Sequence, residues 1–285
     1  MESQPLDYQI AVMSPTEVSM ALAWADAEGW NPGLDDAKSF YAADPSGFLI
    51  GKIQGQPVAT ISAVKYGATF GFIGLYIVKE NYRHQGYGLT IWHHALDSLK
   101  GRCVGLDGVV AQQENYQKSG FQLAHRNIRF AGSSPPVASV SDAIVNLSSL
   151  PMADLCQYDR HFFPAERESF LQAWIRQRRG YALGIVENSR LSGYGVIRAC
   201  HHGYKIGPLN AENQDLAIAL FKGLVANIPA GSGIYLDVPE PNVQAMEIAQ
   251  TYGLQPSFET ARMYLGEIPS MALEKIFGIT TFELG

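Results

Sequence analysis

The chain carries one supersecondary plan twice. Gly47-Phe48-Leu49-Ile50-Gly51-Lys52-Ile53 resembles Gly180-Tyr181-Ala182-Leu183-Gly184-Ile185-Val186, 133 positions later. At the same offset Phe72-Ile73-Gly74 aligns with Lys205-Ile206-Gly207, Ser119-Gly120-Phe121 with Tyr252-Gly253-Leu254, and Arg129-Phe130 with Arg262-Met263. A single match would be chance. Four in one order, at one spacing, predict two copies of one unit.

The joint falls in Ala131-Gly132-Ser133-Ser134-Pro135-Pro136-Val137. Paired prolines and small polar residues break helix and strand alike. The expected division is therefore 1–134 and 135–285, with a linker too short to let the copies swing freely.

Composition excludes several classes. With 285 residues, 47% hydrophobic and 17% charged, the chain can bury a large core and is not disordered. A formal net charge of −6 gives no basic footprint for nucleic acid. No run of 18 apolar residues exists, so no membrane helix is expected. The first ten residues, MESQPLDYQI, lack the basic and apolar regions of a secretory signal. Cys103, Cys156 and Cys200 are odd in number and widely spaced, which fits a reducing cytoplasm. A monomer or homodimer without nucleic-acid or membrane partners is the expectation.

Periodicity places a helix over Glu17 to Ala27, with Val18, Leu22 and Ala25 on one face. Strands follow at Phe48 to Ile53, Val58 to Lys65 and Phe70 to Val78. Next come a helix from about Gly88 to Leu99, a strand from Val104 to Val110, a short helix at Asn115 to Ser119 and a closing strand from Leu123 to Phe130. Gly120 suits the end of the short helix. The fold class is α/β with a mixed sheet: two tandem units, each a mostly antiparallel sheet flanked by helices.

The most informative segment is Tyr82-Arg83-His84-Gln85-Gly86-Tyr87-Gly88-Leu89, between a strand and a helix. Glycines there let the backbone approach a ligand, and their N–H groups can form an anion nest. The positive end of the following helix adds to the attraction, and Arg83 supplies a fixed charge. The segment is neither a P-loop nor a dinucleotide fingerprint. By itself it is also compatible with an ordinary strand-to-helix turn.

In sequence context the strand, the Arg-x-x-Gly-x-Gly turn, the helix, the next strand and then Asn115-Tyr116-Gln117-Lys118-Ser119-Gly120-Phe121 resemble the GNAT superfamily of N-acetyltransferases. Ala27 to Gly33 is similar to a segment of a tandem-GNAT subgroup. The resemblance covers residues 8 to 132 and extends more weakly through the second copy. It implies that acetyl-CoA is the co-substrate, with no metal. It implies that the turn Arg83, His84, Gln85, Gly86, Tyr87, Gly88 and Leu89 holds the coenzyme A diphosphate. The backbone of Tyr76, Ile77 and Val78 would face the thioester, and Asn115 would lie beside the coenzyme. His84 departs from the glycine common after the arginine, at a position that mainly offers backbone. Copy two lacks the turn: Asn210-Ala211-Glu212-Asn213-Gln214-Asp215-Leu216 stands there, and its two carboxylates would repel phosphates. One active site, in copy one, is expected.

Acetyl transfer to an amine ranks the candidates. An alkyl ammonium of pKa ~10.4 costs about 4–5 kcal/mol to deprotonate at pH 7, whereas a thiol of pKa ~8.5 leaves with little help. Backbone donors at an oxyanion are worth ~3 kcal/mol. Tyr116 is the candidate general acid, or alternatively a tyrosine that packs on the sheet beside the coenzyme. Glu28 is the candidate base, directly or through water, or else a surface carboxylate at a helix end. Trp30 and Asn31 beside it suit a cationic amine. The subgroup resemblance points Asp159 and Arg167 of copy two at the substrate cleft; they could equally form a local ion pair. Asp107 could approach the same cleft from its strand, but a turn cap is the favoured reading. The histidine pair His93-His94, the Cys200-His201-His202 run, and Trp92 and Trp174 read as surface or packing positions. The expected activity is acetyl transfer to a primary amine of a small molecule. The alternatives are a non-catalytic acyl-CoA sensor and a protein lysine or N-terminal acetyltransferase.

Overall fold

A computed structural model describes residues 7–285. Most of the secretory-signal reading rests on residues 1–6, which lie outside the described residues. Chain order runs β1 (Tyr8–Val12), α1 (Pro15–Ala27), α2 (Asp36–Ala43), β2 (Phe48–Ile53), β3 (Gln56–Tyr66), β4 (Phe70–Val78), α3 (Tyr87–Ser98), β5 (Cys103–Val109), α4 (Gln113–Lys118) and β6 (Gln122–Ser133). The second half follows with β7 (Ile144–Asn146), α5 (Met152–Asp159), α6 (Glu168–Trp174), β8 (Gly180–Glu187), β9 (Arg190–Ala199), β10 (Tyr204–Ala211), α7 (Gln214–Val225), β11 (Gly233–Pro239), α8 (Val243–Thr251), β12 (Gln255–Leu265) and β13 (Ile276–Gly278). The helices and strands expected in copy one are present. Its sequence reading omitted β1 and α2.

Local signals explain most boundaries. Ser14 and Glu17 form a reciprocal capping box at the start of α1, and Pro15 fits its first position. Val18, Ala21, Leu22 and Ala25 are its buried face. Gly29, at φ +81°, and Asn31, at φ +51°, turn the chain away in the left-handed region. β3, β9 and β10 are largely buried, as expected of strands covered on both faces.

All thirteen strands form one sheet, ordered β1-β2-β3-β4-β5-β12-β6-β11-β10-β9-β8-β7, with β13 paired to β10 off that path. Only β4–β5 and β10–β11 are parallel. The order exposes an exchange: β12 of the second half lies between β5 and β6, and β6 of the first half lies between β12 and β11. Each half has lent its last long strand to the other. A bidentate ion pair pins each loan. Arg129 on β6 grips Asp237 on β11 at 2.7 and 2.8 Å, and Arg262 on β12 grips Asp107 on β5 at 2.8 and 2.6 Å. Asp107 is thus mid-strand and ion-paired, which corrects its reading as a turn cap.

The two parallel pairs meet different fates. β4 and β5 pair from Phe70–Cys103 to Ile73–Leu106 and then part. Beyond that point β4 bulges, with Leu75 at φ +47°, and continues to Val78. β10 and β11 pair only over Tyr204–Ile206, and β13 takes up partners on β10 beyond it, at Leu209 and Asn210. The second fork is filled by the chain itself.

From β13 the chain runs on toward the first fork. Gly207 and Gly74, 133 positions apart, each lie against this segment. A Cβ on Gly207 would stand 2.5 Å from the Thr280 carbonyl oxygen, and one on Gly74 would collide with the Glu283 carbonyl oxygen. Glycine is required at both places by close backbone approach. Tyr66 donates a hydrogen bond to the Leu284 carbonyl, and Arg167 to those of Gly285 and the Thr280 hydroxyl.

Candidate active site

The open fork forms one wall of a cavity of about 610 Å³. β4 brings Tyr76, Ile77 and Val78 to it, and the turn before α3 brings Arg83, His84, Gly86, Gly88 and Leu89. Glu28 and Trp30 line it from the end of α1, and Tyr116 from α4. Eleven of the residues singled out from the sequence therefore face one space.

The turn has the geometry of an anion site. His84 sits at φ +62° and Gly86 at φ +86°, so the backbone reverses over two left-handed residues before α3 begins at Tyr87. Gly86 is the residue at the helix cap and has no side chain with which to close the first turn. The equivalent end in the second half, at α7, is closed by Asn213, whose side chain accepts from the Leu216 N–H. α3 can thus receive an anionic ligand at its positive end, whereas α7 has its own cap. These features fit a coenzyme A diphosphate in the first half.

Arg83 is held by two contacts. Its Nε donates to the Val78 carbonyl at 2.8 Å, and its Nη2 donates to Glu28 Oε1 at 2.5 Å. Both side chains of that ion pair are about two-fifths exposed. The carboxylate read as a base is therefore engaged by the arginine read as a phosphate ligand.

Aromatic rings make the second wall. The Trp92 ring stacks obliquely between Tyr76 and Tyr116, with both centroids at 5.4 Å. Its indole N–H donates to Ser119 Oγ at 3.1 Å, fixing the ring. Trp92 is a packing residue, as expected, and its ring also lines the cavity. Burial, with a lesser contribution from Tyr76, pushes the Tyr116 hydroxyl well above the usual phenol range. The phenol keeps its proton at neutral pH and is a donor rather than a base. A Cβ on Gly108 of β5 would collide with the Tyr116 ring, so that glycine makes room for it.

Other expected residues lie elsewhere. Gln85 is exposed and donates to the Asn81 carbonyl. Tyr87 is buried, its carbonyl accepting from Tyr8, against whose ring it packs at 4.9 Å. Asn115 is exposed and bonds Gln112. Asn31 is buried and exchanges two hydrogen bonds with the His202 backbone, tying the Trp30 loop to the second half. Asp159 and Arg167, expected at the substrate cleft, do not line the cavity. They form a buried bidentate pair at 2.8 Å. The guanidinium packs 4.0 Å over Phe163 and holds the final residues of the chain, so the pair's work is to anchor that segment.

Sequence reasoning missed four residues here. Phe258 and Thr260 of β12 and Phe282 and Glu283 near the chain end line the cavity from the second half. No local pattern marks them, because strand exchange and the path of the final segment bring them in. Arg129 organises this side. Besides gripping Asp237, it donates to the Trp30 carbonyl at 2.8 Å and lies 4.7 Å over the Phe282 ring. Lys205, whose pKa burial and Arg129 hold below the usual lysine range, donates to the same Trp30 carbonyl.

Comparison with known proteins agrees with this geometry. Residues 17–121 match the Acetyltransferase (GNAT) family, and residues 155–278 match an Acetyltransferase (GNAT) domain. A holothin acyltransferase from Pseudoalteromonas sp. is 31% identical over 262 residues, covering 92% of this chain and 89% of that protein. A crystal structure from Pyrococcus horikoshii superposes with a TM-score of 0.83 at 23% identity, covering 100% of this chain and 99% of that one. A tandem GNAT protein from the clavulanic acid biosynthesis pathway gives 0.62 at 13% identity, with 92% and 100% coverage.

Proposed function

This chain belongs to the GNAT family of acyltransferases, with two GNAT domains in tandem, and from that premise we propose that it moves an acetyl group from acetyl-CoA to a primary amine of a small molecule. The amine attacks directly, with both substrates bound together. The single observation carrying this reading is the asymmetry between halves. One fork opens beside a helix whose cap residue, Gly86, carries no side chain; the other is filled by β13 beside a helix capped by the Asn213 side chain. Residues 1–134 hold the thioester and its diphosphate, and residues 135–285 complete the acceptor side.

Acetyl-CoA supplies an activated acyl carbon and a thiol leaving group. Arg83 and the backbone from His84 to Leu89 receive its diphosphate. The backbone of Tyr76 to Val78, released from β5 beyond Ile73–Leu106, orients the thioester and meets charge developing on its oxygen. Such a donor contributes ~3 kcal/mol. Tyr116 holds a proton beside Trp92 for the departing sulfur. Trp30, fixed through its carbonyl by Arg129 and Lys205, offers an aromatic face to the amine.

A small acceptor is favoured over a protein segment because Phe258, Thr260, Phe282 and Glu283 wall the cavity. The holothin acyltransferase supports the same class of acceptor. The test is a panel of holothin, amino acids, polyamines and a lysine peptide with acetyl-CoA, read as free thiol. Saturable release with a small amine is expected. Release with the peptide alone, or with none of them, contradicts the proposal.

A further inference from the structure

Three carboxylates line the cavity, and two are occupied. Glu28 is paired with Arg83, and Asp107 is gripped by Arg262 and accepts from Asn127 at 2.7 Å. Glu283 differs. It is 3% exposed, and no arginine or lysine among the described residues forms an ion pair with it. Its Oε2 accepts from the Thr281 hydroxyl at 2.7 Å. Its Oε1 has no partner among the described residues. A buried acceptor left unpaired is costly, so a site that keeps one is built for a donor that arrives with a ligand.

Resting on the acyl-transfer reading above, we propose that Glu283 is the carboxylate that receives the acceptor amine and takes its proton. Its position suits the role. The Glu283 carbonyl abuts Gly74, one residue beyond the last β4–β5 pair and just before the bulged Leu75. The backbone expected to hold the thioester begins at the next residue, Tyr76. Thr281 fixes the segment locally: its oxygen accepts from the Glu283 and Leu284 N–H groups at 2.8 and 3.2 Å while its hydroxyl donates to Oε2.

Arg129 on β6, Arg198 on β9 and Lys205 on β10 all act electrostatically on Glu283. Asp237 pairs with Arg129 and Asp36 with Arg198. Three cations thus face three carboxylates, Asp36, Asp237 and Glu283. An ammonium arriving there pairs with the Glu283 carboxylate, and passing its proton across leaves a neutral amine beside a neutral carboxyl group.

The steps balance. The ammonium proton passes to Glu283. The freed nitrogen lone pair forms the N–C bond to the acyl carbon. The C–S bond breaks, its electron pair leaving on sulfur, which takes the Tyr116 proton. The nitrogen's surplus proton restores Tyr116, and Glu283 passes its own to water. The products are the amide, the free thiol and one proton.

The test compares wild type with Glu283→Gln, which keeps the side chain's size and an oxygen for Thr281. The acceptor is whichever of holothin and the small-amine panel wild type turns over fastest. The expected result is a loss of about 100-fold or more in kcat/KM, within the range for acid–base groups. The pH–rate profile should climb to the amine's own pKa instead of levelling earlier. Amine affinity without acetyl-CoA, read by calorimetry, should fall about tenfold, with acetyl-CoA affinity unchanged. If Glu283→Gln does not fold, Glu283→Asp, which keeps the charge but withdraws it by one methylene, should lower kcat and spare acetyl-CoA binding. A wild-type pH profile in the variant, or the same losses in Glu28→Gln instead, overturns the assignment. Failure of wild type to bind acetyl-CoA overturns the acyl-transfer reading itself, and calorimetry separates that outcome from the others.

Discussion

Arg129 and Asp237 meet in a buried bidentate ion pair that joins a strand of the first half to a strand of the second. Arg262 and Asp107, the reciprocal pair, do the same in the other direction. Removing one partner of such a pair leaves a buried charge unpaired, at about 3–5 kcal/mol. The exchange also means that β5 finds its outer neighbour, β12, only in the second half.

Residues 1–134 expressed alone should therefore fail to fold. β6 would lose both partners and Arg129 its carboxylate. Circular dichroism and size exclusion of that fragment should show an unfolded or aggregated chain. A monomer with a cooperative thermal transition would contradict the interdependence of the halves.

This organisation marks the limit of what the sequence disclosed. Residues such as Val18 and Leu22, or Gly86 and Gly88, act through neighbours within a turn or a helix, so periodicity and motif located them. Asp107 was legible as a strand residue, but its partner Arg262 lies 155 positions away. Asp159 and Arg167 stood out by their polar density, which does not tell a cleft from a clamp. Glu283 carries no local signal at all: its place depends on β13 filling one fork and Gly74 leaving room at the other.

His125, buried on β6, gives the fold an acid-sensitive element. Burial first, then Arg262, pushes its imidazole down to about 3, against a hydrogen bond with Asn127. Between pH ~6.5 and that value the unfolded chain binds a proton that the native one does not. Stability should therefore fall as pH falls through this window, by at most about 1.4 kcal/mol per pH unit from this group. Thermal melts from pH 7 to 4 should show that slope, and His125→Gln should flatten it. Parallel slopes in both proteins would remove His125 as the cause.

Glu28 and a diphosphate compete for Arg83. Glu28→Gln should thus bind acetyl-CoA as tightly as wild type or up to about fivefold tighter, since an exposed ion pair is worth ~0–1 kcal/mol. Arg83→Gln should bind it more weakly. Equilibrium dialysis with labelled acetyl-CoA decides this; weaker binding by Glu28→Gln would show that the carboxylate supports the site rather than competing in it.

Tyr116→Phe keeps the ring that packs on Trp92 and removes the proton. Turnover should drop about 10- to 100-fold, near the low end for general acid help, with acetyl-CoA affinity unchanged. Wild-type turnover in single-turnover assays would leave Tyr116 as a packing residue.

The central claim is that the bend between Val78 and Leu89, and no other part of the chain, takes the diphosphate of acetyl-CoA. Calorimetric titration of the full chain with acetyl-CoA tests it most directly. The account predicts a single equivalent bound per chain. No heat of binding, or a second equivalent taken up by the filled fork of the other half, would contradict it.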